Sequence, residues 1–529
     1  MPIEAASSSG EEETDVFPDW ATEEEETDAF PDCEMAEEEE EEEEEEETDV
    51  FTDWAMEEAA VFPDWAMLDR MGRTRCHKDL DAARLVVSKN KTAARLRIDR
   101  GLSLYVSFTL AAPGGVSYLN LHWPSVGEGS DAACSFVRAT DKDLVLFDID
   151  VPTRVPYFGA PPDMFVYTAA GPSPSVQQLP LYTQHRRKRR WFLMDKFATG
   201  ILRLSEKRYI VADLSVLDGA LFVFDSSQTE EWTIIPIMPG LIRWHAPKQK
   251  QSSGKLPKLW STDDVLALDD RFLCWVDYFS GVLLSDFSST RGSPPLHFVP
   301  FPGEKEYPEE LRVSRHFPGR FRSVSISQGK MRFVHIDNDF HEETSEDDCP
   351  CLQVPGRRRS QPQQHLGPKK ITIWTLNSYN LLEFKWEQHG VINLDLLQAQ
   401  PNYKAPKRLP EFPVFHDPDV LCCLLREEEF YGKGWMIMVD MKQANLRSST
   451  QYVNRQSYCA ECKDTGCAEC EEDRDEFSNV LLLPTVFSKQ FEKPTGMELD
   501  NDKVGALLPK KHKLSARQNQ ANREKFALM

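Results

Sequence analysis

No run of this 529-residue chain approaches the eighteen or so consecutive apolar residues of a membrane-crossing helix. Its opening, Met1-Pro-Ile-Glu-Ala-Ala-Ser-Ser-Ser-Gly10, has neither the basic start nor the apolar middle of a secretory signal, so a soluble cytoplasmic or nuclear protein is expected. Catalytic signatures are missing as well. There is no Gly-x-Ser-x-Gly elbow, no phosphate loop ending in Gly-Lys-Ser/Thr, no Gly-x-Gly-x-x-Gly and no His-Glu-x-x-His, and His341-Glu-Glu-Thr344 lacks the second histidine. The 12 histidines stand singly along the chain, as surface or packing residues do. Acid pairs such as Asp263-Asp264 and Asp269-Asp270 sit beside strand ends, where turn and solvent roles dominate. Sustained helical periodicity is also lacking, which argues against a parallel sheet with crossover helices.

Lys and Arg are absent from residues 1–69, which carry 30 Asp and Glu, leaving 57 acids against 61 bases over residues 70–529. The net charge of −26 therefore belongs to a tail, and the body is nearly neutral. The tail repeats one phrase four times: Thr14-Asp-Val-Phe-Pro-Asp-Trp-Ala21, Thr27-Asp-Ala-Phe-Pro-Asp-Cys33, Thr48-Asp-Val-Phe-Thr-Asp-Trp-Ala-Met56 and Ala60-Val-Phe-Pro-Asp-Trp-Ala-Met67. Between the second and third copies lies the unbroken run Glu37–Glu47. Such charge density cannot collapse into a core, so residues 1–60 are expected to be disordered. The fourth copy runs into ordinary sequence at Leu68-Asp-Arg70 and reads as the start of the folded body. The earlier copies read either as slipped duplicates or as aromatics held exposed by their acids for a partner groove.

From about residue 80 the texture is that of β structure. Leu102–Leu110 and Val116–Trp123 flank the turn Pro113-Gly-Gly115, and short strands recur at Leu144–Asp148, Met164–Thr168, Ser175–Leu181, Tyr209–Leu214, Ala220–Asp225 and Trp232–Ile237. Residues 264–302 predict a four-strand meander: Val265–Leu268, Arg271–Val276, Gly281–Phe287 and Leu296–Val299. Arg322–Ser327, Lys330–Asp337, Lys370–Leu376, Leu382–Glu387, Val420–Leu425 and Trp435–Met441 complete the series. About 350 residues of such groups exceed one sandwich and suit a propeller of five or six four-stranded blades, with a pair of sandwiches as the rival. The predicted class is therefore all-β: a β-propeller-like array of four-stranded antiparallel meanders behind a disordered acidic tail. Three segments interrupt the pattern, at Ala246–Pro257, Asp339–Lys369 and Lys442–Glu476.

The densest chemical pattern is Cys459-Ala-Glu-Cys462-Lys-Asp-Thr-Gly-Cys467-Ala-Glu-Cys470. Two Cys-x-x-Cys knuckles joined through Gly466 would bring four thiolates to one tetrahedral zinc. The joining segment is shorter than that of a zinc ribbon, and Glu471-Glu-Asp473 opposes thiolate formation until a cation arrives. A structural zinc, a reduced solvent-exposed loop and a redox pair all stand as readings. No other cofactor is indicated. His185-Arg-Arg-Lys-Arg-Arg190 suits nuclear import, an anion patch or a solvated loop. It and the islands at Arg357–Arg359 and Lys510–Lys513 lack interleaved aromatics, so a nucleic-acid partner is not expected.

Several stretches resemble a plant family, largely from grasses, known as domain of unknown function 1618. They include Phe62-Pro-Asp-Trp-Ala-Met-Leu-Asp-Arg70, Met194-Asp-Lys-Phe-Ala-Thr-Gly-Ile-Leu-Arg203 and Phe272-Leu-Cys-Trp-Val-Asp-Tyr-Phe-Ser-Gly-Val-Leu-Leu-Ser-Asp286, with Phe298-Val-Pro-Phe-Pro302 and Ile371-Thr-Ile-Trp-Thr-Leu376 further on. The likeness covers much of residues 61–440 and supplies no catalytic or binding residue. The expected organisation is a tail over 1–60, a body over 61–456 with its family-like core near 264–410, the cysteine loop 457–476, a last body segment 477–500 and a basic disordered tail 501–529. The expected function is a non-enzymatic scaffold for a protein partner, with no membrane and no small-molecule substrate. The alternatives are a transcription-linked regulator acting through the acidic tail, or an enzyme with an unrecognised site in a propeller channel.

Overall fold

In the computed structural model the described residues run from 62 to 491 with interruptions, the longest at 125–132, 151–162, 182–194, 246–255, 304–317 apart from Arg312, 338–368, 427–433 and 453–481. Within them the chain folds sheet by sheet. The first sheet takes β1 (Ala66–Asp69), β2 (Arg73–His77), β3 (Ala94–Arg97), β4 (Ser103–Thr109) and β5 (Val116–Pro124). The second takes β6 (Cys134–Asp141), β7 (Leu144–Asp150), β8 (Asp163–Thr168) and β9 (Ser175–Gln178). In the third are β10 (Thr199–Ser205), β11 (Arg208–Ser215), β12 (Ala220–Asp225) and β13 (Thr233–Pro236). The fourth holds β14 (Ile242–Trp244), β15 (Asp264–Leu268), β16 (Phe272–Asp277), β17 (Gly281–Asp286) and β18 (Leu296–Pro300). The fifth holds β19 (Arg322–Ser327), β20 (Lys330–Ile336), β21 (Lys370–Tyr379) and β22 (Glu383–Asn393), and the sixth β23 (Glu411–Asp417), β24 (Val420–Arg426), β25 (Gly434–Asp440) and β26 (Asn445–Tyr452).

The last strand, β27 (Leu482–Thr485), returns to the first sheet and pairs antiparallel with β1, placing Met67 opposite Pro484. Strands β6, β10, β15, β19, β23 and β27 each touch the next, and β27 touches β6. The six sheets thus close into a ring, a six-bladed β-propeller of antiparallel meanders. Side chains on successive blades interleave because both faces of most strands are covered. All of Phe272–Asp277 and all of Gly281–Asp286 are buried, so these strands read as continuous apolar runs rather than alternations. Trp275 lies fully buried between the fourth blade and the third, and its indole N–H donates to Ala198 O at 2.8 Å.

Two local readings are corrected. Residues 80–87, expected to open the β region, form α1 (Leu80–Val87) instead. Asp79 caps it, its carboxylate accepting from Ala82 N at 2.7 Å, and Ala83 and Val87 pack inward one turn apart. Residues 445–452, expected within an interrupting loop, form the outer strand of the sixth blade. Its sequence Asn-Leu-Arg-Ser-Ser-Thr-Gln-Tyr carries few apolar residues because an edge strand is covered on one side only. The interruptions at 246–255 and 339–368 lie outside the described residues.

The fourth copy of the tail phrase is built into the first blade. Trp65 is buried against Val414, Val420, Cys422, Leu424 and Met436 of the sixth blade. The Phe62 ring packs on Phe491 at 5.2 Å, and Asp64 lies 3.8 Å from Lys489 Nζ.

Candidate functional site

The inner strands surround a cavity of about 1230 Å3. Its most constrained feature is Arg70. After β1 the chain leaves its own sheet for three residues and runs beside β6: Val137 N donates to Arg70 O at 2.7 Å and Gly72 N to Ser135 O at 2.9 Å. It then rejoins β5 as β2. This detour delivers the Arg70 guanidinium, 4 % exposed, to the cavity wall. There it donates to Asp264 Oδ1 at 2.6 Å and to the carbonyl oxygens of Val137 and Arg138, so one cation ties together the first, second and fourth blades. Burial pushes the Asp264 carboxyl above its ordinary value, with Arg70 opposing the shift.

Other lining acids are also engaged. Asp263 accepts from Tyr278 N at 2.7 Å, Asp195 from Phe197 N at 2.9 Å, and Asp141 from Arg203 N at 2.6 Å. Burial raises the Asp141 carboxyl to about 6 against the pull of that hydrogen bond and of Lys142. Ser323 and Ser325 of β19 bond the backbone of Pro413 and Phe415 on the next blade. Just outside the cavity, Arg138 donates to Asp148 and to the Thr199 hydroxyl, each at 2.7 Å, and the Thr199 hydroxyl lies 2.8 Å from Asp213 Oδ2. The Asp213 carboxyl is raised to about 7, chiefly by burial. Arg203 forms a two-pronged pair with Asp143. These contacts join neighbouring blades across the ring's interior.

Asp263 and Asp264 are therefore not solvent-facing turn residues. The second is an ion-paired wall residue, whereas Asp269 and Asp270, with φ of 55° and 53°, do make the tight turn their type suits. Histidines single in sequence meet in space. His77 Nε2 lies 3.0 Å from His122 Nδ1, and His245 Nε2 lies 3.0 Å from His297 Nδ1. Both pairs arise where a short strand runs parallel to a longer one, with Arg75 opposite His122 and Arg243 opposite His297. Burial pushes His122 and His297 down to about 4, and the facing histidine adds to the shift. At neutral pH each pair is then uncharged, one ring donating and the other accepting. The repeated wording, Arg75-Cys-His77 with His122-Trp-Pro124 and Arg243-Trp-His245 with His297-Phe-Val-Pro300, was the available sequence signal.

No group of three or more metal-binding side chains occurs among the described residues. Cys459, Cys462, Cys467 and Cys470 lie outside them, as do His341, the basic runs at 185–190, 357–359 and 510–513, and the first three copies of the tail phrase. No helix among the described residues is long and apolar enough to cross a membrane.

A family model described as "Protein of unknown function (DUF1618)" matches residues 275–422, from β16 through β24, and supports kinship with that family. No curated protein matches the chain. Among solved structures, Zg3597, a family 117 glycoside hydrolase produced by the marine bacterium Zobellia galactanivorans, is similar at 11% identity over 68% of this chain and 85% of that one, with a TM-score of 0.22. A structure titled YCF48 bound to D1 peptide is similar at 11% identity over 75% of this chain and 97% of that one, with a TM-score of 0.21.

Proposed function

We propose that this DUF1618-like propeller is a non-enzymatic scaffold, cytoplasmic or nuclear, that binds another protein across the mouth of its central cavity. The observation that supports this reading is the engagement of the cavity's polar groups. Asp141, Asp263, Asp264 and Arg70 each hold a backbone or side-chain partner that fixes blade to blade or loop to blade, and Asp195 accepts from Phe197 N within its own loop. Carboxylates spent on architecture are poorly placed to exchange protons with a substrate. Blade loops at the rim of a ring give a broad surface of the kind protein partners use. The test is affinity capture with the full chain, comparing wild type with Lys142→Glu and Lys489→Glu, which reverse exposed charges at the cavity wall. A specific partner should be retained by wild type and lost by the reversed variants. An identical captured set would place binding elsewhere, and a turnover assay that consumed a small molecule in the cavity would overturn the scaffold reading.

The Cys459–Cys470 segment is proposed to hold one structural zinc through its four thiolates. Protein purified without chelator should then carry one equivalent by elemental analysis, lost when Cys462 and Cys467 become serine. Metal-free protein with four freely alkylated thiols would leave the segment as a plain loop.

A further inference from the structure

The first blade packs Val106 and Phe108 of β4 and Leu119 and Leu121 of β5 against the second blade. The alternate residues of the same strands make a polar face. Ser107, Asn120 and His122 are each 2–3 % exposed, and β2 lays Arg73 beside Asn120 and Arg75 beside His122, with His77 following. Hydrogen bonding runs across this face in one direction. The Ser107 hydroxyl has one partner, His122 Nε2 at 2.9 Å. Leaving a buried hydroxyl proton unused is costly, so Ser107 donates to that nitrogen. His122 then carries its own proton on Nδ1 and donates to His77 Nε2 at 3.0 Å, which leaves the His77 proton on Nδ1. The relay therefore ends in an N–H donor on the half-buried His77, on the same side of β2 as the exposed Arg75 guanidinium.

No carboxylate offsets these donors. Burial and neighbouring cationic groups alone push Arg75, His77 and His122 down. Arg73 is spent on the Tyr118 ring, 3.2 Å from its centroid, and on Asp69. The acids of the neighbouring helix α1 are engaged too, Asp79 in its cap and Asp81 at 3.8 Å from Arg84. The fourth blade repeats the construction with Arg243, His245 and His297, but there Glu383 and Asp286 pull the two histidines back up. Asn120 adds an orphan on the same face of the first blade, since its Oδ1 has no partner although the residue is buried. We propose that Arg75 and His77 form a binding site for a phosphate-type oxyanion, with Ser107 and His122 holding the His77 donor in place. Two residues apart on one side of a strand, the two Cα atoms are roughly 6.6 Å apart, so both side chains reach one ligand. The guanidinium fork takes two oxygens and the imidazole N–H a third, which a tetrahedral anion supplies and a carboxylate, with two oxygens, does not. None of these residues lines the central cavity, so the site stands independently of the scaffold reading.

Titration of the full chain with inorganic phosphate, read by calorimetry and by the imidazole proton resonances of His77, tests the site. Wild type should bind phosphate saturably, with the His77 resonances moving in step. R75A should weaken binding at least tenfold, and R75K at least threefold, because lysine keeps the charge but loses the fork. H77A should also weaken it at least threefold. R243A, in the acid-compensated counterpart on the fourth blade, should stay within twofold of wild type. A second arm replaces phosphate with N-acetyl-phosphoserine amide. Tighter binding of that ester than of phosphate would support the site with a phosphorylated side chain as its source, and weaker binding would support it with the free anion. Equal phosphate affinity in wild type and R75A would overturn the proposal, as would acetate competing as well as phosphate or His77 resonances that do not move.

Discussion

At Asp213, burial holds a carboxyl near neutrality although Thr199 donates to it and Arg138 stands beyond. Raised from 3.8 to about 7, this group favours the folded state in its protonated form. Its contribution is full below about pH 3.8 and is lost as pH rises through about 7. Asp213→Asn cannot titrate, so the stability difference should shift in the variant's favour by on the order of 2–3 kcal/mol between pH 5 and 8. Urea midpoints at the two pH values measure it, and a constant gap would refute the burial argument. The histidine pairs behave in the opposite sense. His122 and His297 fall from 6.5 to about 4 on folding, so they destabilise the protein progressively as pH drops from 6.5 through about 4. The double variant His122→Gln, His297→Gln should lose less stability than wild type between pH 7 and 4.5, read from melting temperatures. Parallel curves for the two proteins would show that the pairs do not titrate in this window.

Strand β17 begins at Gly281 with φ of 155°, and a Cβ there would strike the carbonyl oxygen of Val299 on β18. Gly281→Ala should therefore cost about 1–3 kcal/mol by forcing two hydrogen-bonded strands apart. Denaturant unfolding checks it; a shift under about 0.5 kcal/mol would mean the hairpin relaxes freely. The meander containing this strand was the most legible part of the sequence: Gly281–Phe287 was expected and Gly281–Asp286 is found. Arg322–Ser327 and Ala220–Asp225 match to the residue. Sequence patterns missed four of the six innermost strands: the short Leu482–Thr485 and, besides it, Cys134–Asp141, Thr199–Ser205 and Glu411–Asp417. The latter three carry Arg138, Arg203, Gly200 and Pro413 because they join blades through ion pairs and close contacts, which breaks the apolar alternation that reveals a strand. The site was hidden for the same reason, since Arg70 and Asp264 are 194 positions apart and neither sits in a motif. One readable signal went unused. Arg208 pairs with Asp225, and Arg271 with Asp286; Ser227 and Ser288 each donate a backbone N–H to that aspartate. The same arginine, aspartate and serine thus recur at the start of the second strand and the end of the third in two neighbouring blades.

For the molecule as a whole, the ring depends on four residues near the far end of the chain. Leu482–Thr485 is the inner strand of the first blade, bordered by β1, and touches both β6 and β23. A chain ending at residue 481 should leave the blades unclosed, with a larger hydrodynamic radius and no single cooperative melt. Retention of the wild-type radius and melt by that truncated chain would show that five blades and a partial first blade hold together alone. The placement also orders events during synthesis. Five blades emerge from the ribosome and can pair their own strands while the first still lacks its inner strand. Its exposed edge must wait until residues 482–485 have been translated and have left the exit tunnel. A nascent chain of this design carries an unpaired sheet edge until Leu482–Thr485 docks, and that edge is open to strand addition by other chains in the meantime.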